Sequence, residues 1–470
     1  MAGKKNTVGS KAFPTEYTVT NALKKGNLVT KLSAVIFGLG NLVHGQIIKG
    51  LIFLAAEITY IIYMISFGLG QLSLLPSLGH IKDQQQIFNE ETQLFEYVQP
   101  DNSMLILLYS VITLFLTAAL ILVLRASLKS AYEAQYRKAN NMTIPSFKED
   151  IAIAFDKKLH RTLLSLPCLG IVLFTIMPLV FMILMAFTDY DRTNKDNTFD
   201  WVGLINFKKV LDFGGEFGKT FWPVLGWTII WAIFATLLNY IFGMILALTI
   251  NRKDVKYKSF WRFCFILSVA IPQFVSLLAI NQMLQSPNGA LNVLLQDMGF
   301  LETPYQFFGS AQNPLSARVL VIIVNLWVGI PYTLLTTTGI LQNIPAELYE
   351  SAKVDGVHLV FSCNLTFVKI TLPYMLFVTA PSLIQSFIGN INNFNVIFLL
   401  TGGAPATSEY YKSTAGKTDL LVTWLYKLTI DNQDYSYGAV IGILVFIISI
   451  TFSLTVYRRT GSYKNEEGFQ

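Results

Sequence analysis

Charged side chains are scarce in this 470-residue sequence, at 14% of residues against 53% hydrophobic. A soluble globular chain carries roughly 25% charged residues, so much of this surface is built to meet something other than water. Mean hydropathy is correspondingly high, at +0.49. The net charge of +6 comes from lysines and arginines spread over separate loops, which excludes the continuous basic patch of a nucleic-acid-binding protein. Cysteine is nearly absent. Cys168, Cys264 and Cys363 stand far apart, in or near apolar runs. They offer neither a disulfide framework nor zinc-ligand spacing and read as small buried apolar residues. The four histidines, His44, His80, His160 and His358, are scattered and form no metal site or catalytic triad. A cleavage site is missing too. Lys4, Lys5, Lys11, Lys24, Lys25 and Lys31 precede the first apolar stretch, and no small-residue pattern follows it. That stretch is expected to stay as an anchor.

A nucleotide fingerprint is also lacking. Phe213-Gly-Gly-Glu-Phe-Gly-Lys-Thr220 comes nearest, but a phosphate-binding loop needs a glycine where Phe213 stands and a strand before it. Any ATP chemistry would therefore belong to a partner.

What the sequence does contain is long apolar runs. A bilayer core needs roughly 20 apolar residues in helix. Eight segments qualify: Leu51–Gln71, Ser103–Arg125, Leu163–Phe187, Val224–Ile250, Phe260–Leu284, Val319–Leu341, Tyr374–Leu400 and Gly438–Tyr457. Leu32–Val43 is too short and too glycine-broken to span, and reads as interfacial or re-entrant. Basic residues mark the N-terminal tail, the loop after the second span (Lys129, Arg137, Lys138, Lys148), the loop after the fourth (Arg252, Lys253, Lys256, Lys258) and the C-terminal Arg458 and Arg459. With an even number of spans all of these fall on one side, which places both termini in the cytoplasm. The first outer loop is acidic, with Asp83, Glu90, Glu91, Glu96 and Asp101. The expected fold is an all-α integral membrane protein of about eight transmembrane helices.

Two spans carry polar stripes. The sixth has Asn325, Val328, Gly329 and Tyr332; the seventh has Ser386, Gly389, Asn390 and Asn393. Spacings of three, four and seven put each set on one helix face. Amides in hydrocarbon must find partners, so these faces point at protein or at a water-filled cavity. Interhelical amides and small residues serve as packing glue in membranes. Alternatively, the uncharged amides, hydroxyls and tyrosine ring suit a sugar, whose hydroxyls need donors and acceptors and whose ring faces need a flat surface. A structural amide is bonded across helices; a pocket amide is partly unpaired until ligand arrives. Glu57 is the only carboxylate well inside a span. An intramembrane acid is a functional candidate by default, but a lone one is more simply a structural hydrogen-bond acceptor.

The loop between these two spans reads Glu350-Ser-Ala-Lys-Val-Asp-Gly356 and then Ile370-Thr-Leu-Pro373. This resembles the EAA loop of ABC importer permeases, and the likeness extends over most of Val224–Val456. It is densest in Val324–Tyr332, Ile344–Ser351, Ser386–Phe394 and Leu400–Gly403. The sequence is most similar to the larger permease subunit of maltose and maltodextrin importers. The resemblance implies an ABC type I importer core over 161–457, with its EAA loop at 342–373. Ahead of it stand a cytoplasmic tail and interfacial helix (1–50) and two additional spans with their loops (51–160); a cytoplasmic tail (458–470) follows. It implies a second permease subunit, a dimer of ATPase subunits that use ATP and magnesium, an extracellular sugar-binding protein and an oligosaccharide substrate. This chain itself would bind no cofactor and make or break no bond. The family's sugar contacts map onto Asn325, Val328, Gly329, Tyr332, Ser386, Gly389, Asn390 and Asn393. Its ATPase-coupling segment maps onto Glu350, Ser351, Ala352, Asp355 and Gly356, with Glu350 facing an arginine of the ATPase.

Three departures stand out. The stretch from Gly356 to Ile370 is about one helical turn longer than the usual loop. Val269 and Gln273 replace an aromatic and a serine in the fifth span, and Gly389 replaces a phenylalanine. A lost ring removes stacking surface and opens space, as a longer or differently linked sugar would need. Another oligosaccharide, such as a galactan fragment, is the competing substrate. An ion-coupled secondary transporter would carry paired intramembrane charges and inverted repeats, and neither is found.

Overall fold

The computed structural model describes residues 17–89, 94–194, 197–252, 254–354 and 367–458. The chain packs as two units, residues 1–201 and 202–470. Among the described residues, seven helices are long and apolar enough to cross a membrane: Ile47–Leu74, Ser103–Ala139, Leu159–Met185, Gly218–Asn251, Leu315–Gln342, Lys369–Leu400 and Tyr435–Tyr457. A bent pair, Lys258–Ala270 and Gln273–Met283, whose arms meet at 82°, makes up to eight when it is counted as one span. In sequence order the spans are numbered one to eight, the bent pair being the fifth. Most run a few residues past the apolar segments, because a helix continues until a cap or a proline stops it rather than where hydropathy falls.

The fifth span departs from the straight Phe260–Leu284 helix that hydropathy implies. Pro272 cannot donate a backbone hydrogen bond, and it pushes Ile271 to extended backbone, at φ −79°, ψ 126°. The seventh span is interrupted as well. Its main helix ends at Ile391, and Asn393 caps a new helix, Phe394–Leu400, by accepting the N–H of Val396 at 3.3 Å.

In the first unit, Leu32–Val43 does not span. It breaks at Gly38, whose φ of +76° suits glycine and whose backbone lies against Gly50. Glu57 accepts the N–H of Phe37 at 2.8 Å, so the intramembrane acid ties this broken segment to the first span. After the first span comes a hairpin, Gln85–Asn89 against Leu94–Val98. Asp101 accepts the N–H groups of His80 at 2.7 Å and Ile81 at 3.0 Å. The Ile81 bond foremost, with that of His80, holds its carboxyl below the usual carboxylate range.

Cys168 and Cys264 are exposed on their helices, contrary to the buried reading. Both lie in spanning segments, whose outward faces are apolar because lipid, not protein, covers them. Cys363 and His358 lie outside the described residues.

The second unit's core gathers Trp227, Trp231, Val321, Val324, Val396, Ile397 and Leu400. The decoy Phe213–Thr220 has no strand before it. A helix, Ile205–Leu211, precedes it, and the Thr220 hydroxyl accepts the N–H of Tyr411 at 2.6 Å. The loop between the seventh and eighth spans is tightly built. Asp419, fully buried, pairs with Lys427 at 2.6 Å and accepts from Gly416 N–H at 2.6 Å and the Thr423 hydroxyl at 2.8 Å. Burial pushes the Asp419 carboxyl up, and Lys427 leads the groups opposing that rise. Removing one partner of such a buried pair strands the other charge. Lys427→Met is expected to lower stability by about 3–5 kcal/mol, read as a fall in melting temperature of the detergent-purified protein. Asp419→Asn in the same background should recover part of the loss.

Candidate functional site

The fourth span is where the two stripes meet. On one of its faces lie Thr236, Asn239, Tyr240 and Gly243, again at spacings of three, four and seven. Thr236 accepts a hydrogen bond from the Asn390 amide at 3.0 Å. The hydroxyls of Tyr240 and Thr379 lie 3.0 Å apart. A Cβ on Gly329 would sit 2.4 Å from the Asn239 amide nitrogen, and one on Gly243 would sit 2.5 Å from the Cβ of Thr333. A side chain at 243 would press on the Thr333 Cβ and backbone, and one at 329 would displace the Asn239 amide. Sequence reading missed this face. Its signal was the same helical spacing of polar and small residues, diluted in a span that is otherwise strongly apolar.

The predicted residues divide between two surroundings. Asn390 is bonded to Thr236, its carbonyl accepts the Trp231 indole N–H at 3.1 Å, and Asn393 reaches its side-chain oxygen at 3.4 Å. Asn390 is thus an interhelical amide, whereas Asn393 is bonded within its own span, to Asn390 and to the Val396 N–H. Gly329 packs on the fourth span. Asn325 is 4% exposed, and its amide nitrogen is buried without a partner. The buried Asn239 amide oxygen also lacks one. Ser386 and Gly389 are exposed, and a Cβ on Gly389 would meet nothing within 4 Å.

Val328 and Tyr332 face a cleft of about 220 Å³ at the bend of the fifth span. Opposite them stand Val269, Gln273, Ser268 and Ser276, and Trp327 completes the lining. Tyr332 is 64% exposed and Trp327 48%, so two aromatic rings flank a wall of amide and hydroxyl groups. Trp327 belongs with the cleft although it was not among the predicted contacts. None of the seventh-span residues lines this cleft. A larger cavity of about 530 Å³ between the fourth, seventh and eighth spans is walled by residues such as Ile233, Leu383, Phe387 and Phe452; it offers a polyol almost nothing to bond. Among the described residues, no group of three His, Cys, Asp or Glu could hold a metal.

The EAA segment forms a helix, Ala346–Val354. Glu350 and Ser351 are exposed and Ala352 is half-buried; Asp355 and Gly356 lie outside the described residues. The Tyr349 and Thr371 hydroxyls lie 3.0 Å apart, joining this helix to the buried start of the seventh span.

Residues 239–460 match the family described as the binding-protein-dependent transport system inner membrane component. The maltodextrin transport system permease protein MdxF of Bacillus subtilis is 30% identical over 459 residues, 96% of this chain and 99% of that protein. The chain belongs to this permease family. The galactooligosaccharides transport system permease protein GanP of Bacillus subtilis is 33% identical over 442 residues, 93% of this chain and 99% of that protein. The maltodextrin transport system permease protein MalC of Streptococcus pneumoniae is 30% identical over 448 residues, 93% of this chain and 96% of that protein.

The permease is thus a multi-pass protein of the cell membrane and a subunit of a binding-protein-dependent importer, not an enzyme. Its matched residues all fall in the second unit, which holds the cleft and the EAA helix. The glycine geometry makes a contrast that stability can read. Gly243→Val and Gly329→Val should each cost about 1–3 kcal/mol from overpacking. Gly389→Val, facing open space, should stay within about 0.5 kcal/mol of the parent. Melting curves of the three variants in one detergent provide the comparison.

Proposed function

We propose that this permease forms part of the membrane path of an ATP-driven importer of malto-oligosaccharides, with both termini in the cytoplasm. The observation that carries the substrate class is the cleft at the bent fifth span. Its wall offers neutral amide and hydroxyl groups between two exposed aromatic rings and contains no charge that would favour an ion or an amino acid. Near-full-length likeness to a maltodextrin permease supports the same class. A galacto-oligosaccharide is the alternative, favoured by the 33% identity to the GanP protein.

In this reading Asn325, Val328, Gly329, Tyr332, Ser386 and Gly389 border the sugar path. Asn390 and Asn393 hold the seventh span in position beside it. A second permease subunit completes the path, an extracellular binding protein delivers the sugar, and two ATPase subunits hydrolyse ATP below. The segment Glu350, Ser351, Ala352, Asp355 and Gly356 docks on an ATPase. Tyr349 and Thr371 then pass its movement to the seventh span, so ATPase closure opens the path outward and hydrolysis returns it. The chain supplies a path and a lever.

Two measurements on the reconstituted complex test this. Glu350→Lys would set like charges against the ATPase's cationic groove and is expected to abolish most sugar-stimulated ATP hydrolysis; stimulation at the parent level would refute the coupling role. A panel of maltotriose, maltotetraose and galactotriose, each with the binding protein, decides the substrate. Stimulation by the malto-series alone is expected, and a response confined to galactotriose would transfer the site to the alternative.

A further inference from the structure

The segment ahead of the first span is packed inside out. Thr30, Ser33 and Asn41 are fully buried, whereas Leu28 is 74% exposed and Val35 70%, with Leu32, Ile36 and Val43 exposed beside them. The buried side is bonded to the second span at successive levels. The Gly38 N–H donates to the Ser127 hydroxyl at 2.8 Å, the Asn41 amide to the Ser130 hydroxyl at 2.7 Å, and the Asn27 N–H to the Gln135 side-chain oxygen at 2.9 Å. A Cβ on Gly40 would sit 2.6 Å from that of Ala131. A segment in water turns its apolar side chains inward; this one turns them out.

Its depth follows from the second span. The apolar run of that helix ends at Arg125, and Ser127 and Ser130 follow within about 8 Å at ~1.5 Å per residue. That is the level at which hydrocarbon gives way to headgroups. The exposed apolar face also runs on into the first span, where Ile47, Ile48, Leu51 and Ile52 are exposed on a helix that lipid surrounds. Charge along the segment has a single sign. Residues 17–56 hold no carboxylate. Lys49 is paired with Asp150 at 2.9 Å, but Lys24, Lys25 and Lys31 are exposed and enter no ion pair among the described residues. We infer that this segment is a collar in the cytoplasmic surface of the bilayer and that it binds anionic phospholipid. Leu28, Leu32, Val35 and Ile36 enter the acyl layer, while Lys24, Lys25 and Lys31 meet the headgroup phosphates. Apolar burial and attraction between lysine and anionic lipid are the two contributions that hold such a segment on a membrane. The long lysine stem reaches from the apolar boundary to the phosphate level. The occupant is lipid rather than a further protein because the apolar face continues that of the first span and its charge is all positive. Through Ser127, Ser130 and Gln135 the second span gains a footing in the inner leaflet that depends on lipid charge.

The inference rests on the cytoplasmic placement of the N-terminus. Its test uses the complete reconstituted complex in nanodiscs of phosphatidylcholine and phosphatidylglycerol. A fluorophore is attached through Val35→Cys in a background where Cys168, Cys264 and Cys363 are changed to alanine. A nitroxide quencher is carried on the acyl chain of one phospholipid or the other at the same mole fraction. Quenching by both is expected, about twofold stronger from the phosphatidylglycerol. Replacing Lys24, Lys25 and Lys31 together by glutamine should cancel that preference and leave quenching from phosphatidylcholine in place. Equal quenching from the two lipids in the parent overturns the anionic site. No quenching from either overturns the bilayer contact and gives this face to a protein. A preference that survives the triple replacement overturns the role of the lysines. Labelling of a Lys24→Cys variant in intact cells by a membrane-impermeant maleimide overturns the cytoplasmic placement separately, since the quenching alone decides whether lipid is bound.

Discussion

An amide or hydroxyl in hydrocarbon must be bonded, because leaving it bare costs several kcal/mol. The second unit is arranged around one answer to that constraint: the polar face of the fourth span. Thr236 takes the Asn390 amide at 3.0 Å, and Tyr240 meets Thr379 at 3.0 Å. Asn239 lies over Gly329, and Gly243 receives Thr333. The sixth and seventh spans are thereby each fixed to the fourth at two levels. Such bonds are individually modest, about 0.6–2 kcal/mol. Their consequence is positional, since they settle which polar residues remain available for anything else.

What remains available lies beside this contact on the sixth span. Val328, Tyr332 and Trp327 line the cleft at the bend at Pro272. There the constraint is met differently: the fifth span does not pair its polar groups internally but turns them into a cleft. The EAA helix follows the sixth span directly in the chain and is joined through Tyr349 and Thr371 to the start of the seventh span, which the fourth span holds.

Much of this was legible in the residues. Long apolar runs located the spans, and the Glu350–Gly356 pattern gave the family. The reading of Glu57 as a structural acceptor agrees with its bond to Phe37. The bend in the fifth span was not foreseen, although Ile271-Pro272 signals it, because hydropathy counts apolar side chains and is blind to a missing N–H. The stripes were placed on the right helices, but spacing says only that residues share a face, not what that face meets. Asn390 and Tyr332 look alike in that respect. One is bonded to the fourth span and the other is open, and only packing separates them. The fourth span's own stripe escaped notice because threonine, tyrosine and glycine are common among apolar residues, and Asn239 alone breaks the run.

The central claim is this division of labour: the fourth-span face holds the bundle and the bent-span cleft meets the sugar. Paired measurements on Thr236→Val and Gln273→Ala, in the same reconstituted complex, test it most directly. Melting temperature and the half-saturating sugar concentration for ATPase stimulation are read for each. The account predicts that Thr236→Val lowers the melting temperature and leaves half-saturation unchanged, while Gln273→Ala raises half-saturation and leaves melting unchanged. Loss of sugar response without loss of stability in Thr236→Val, with Gln273→Ala silent, would contradict it.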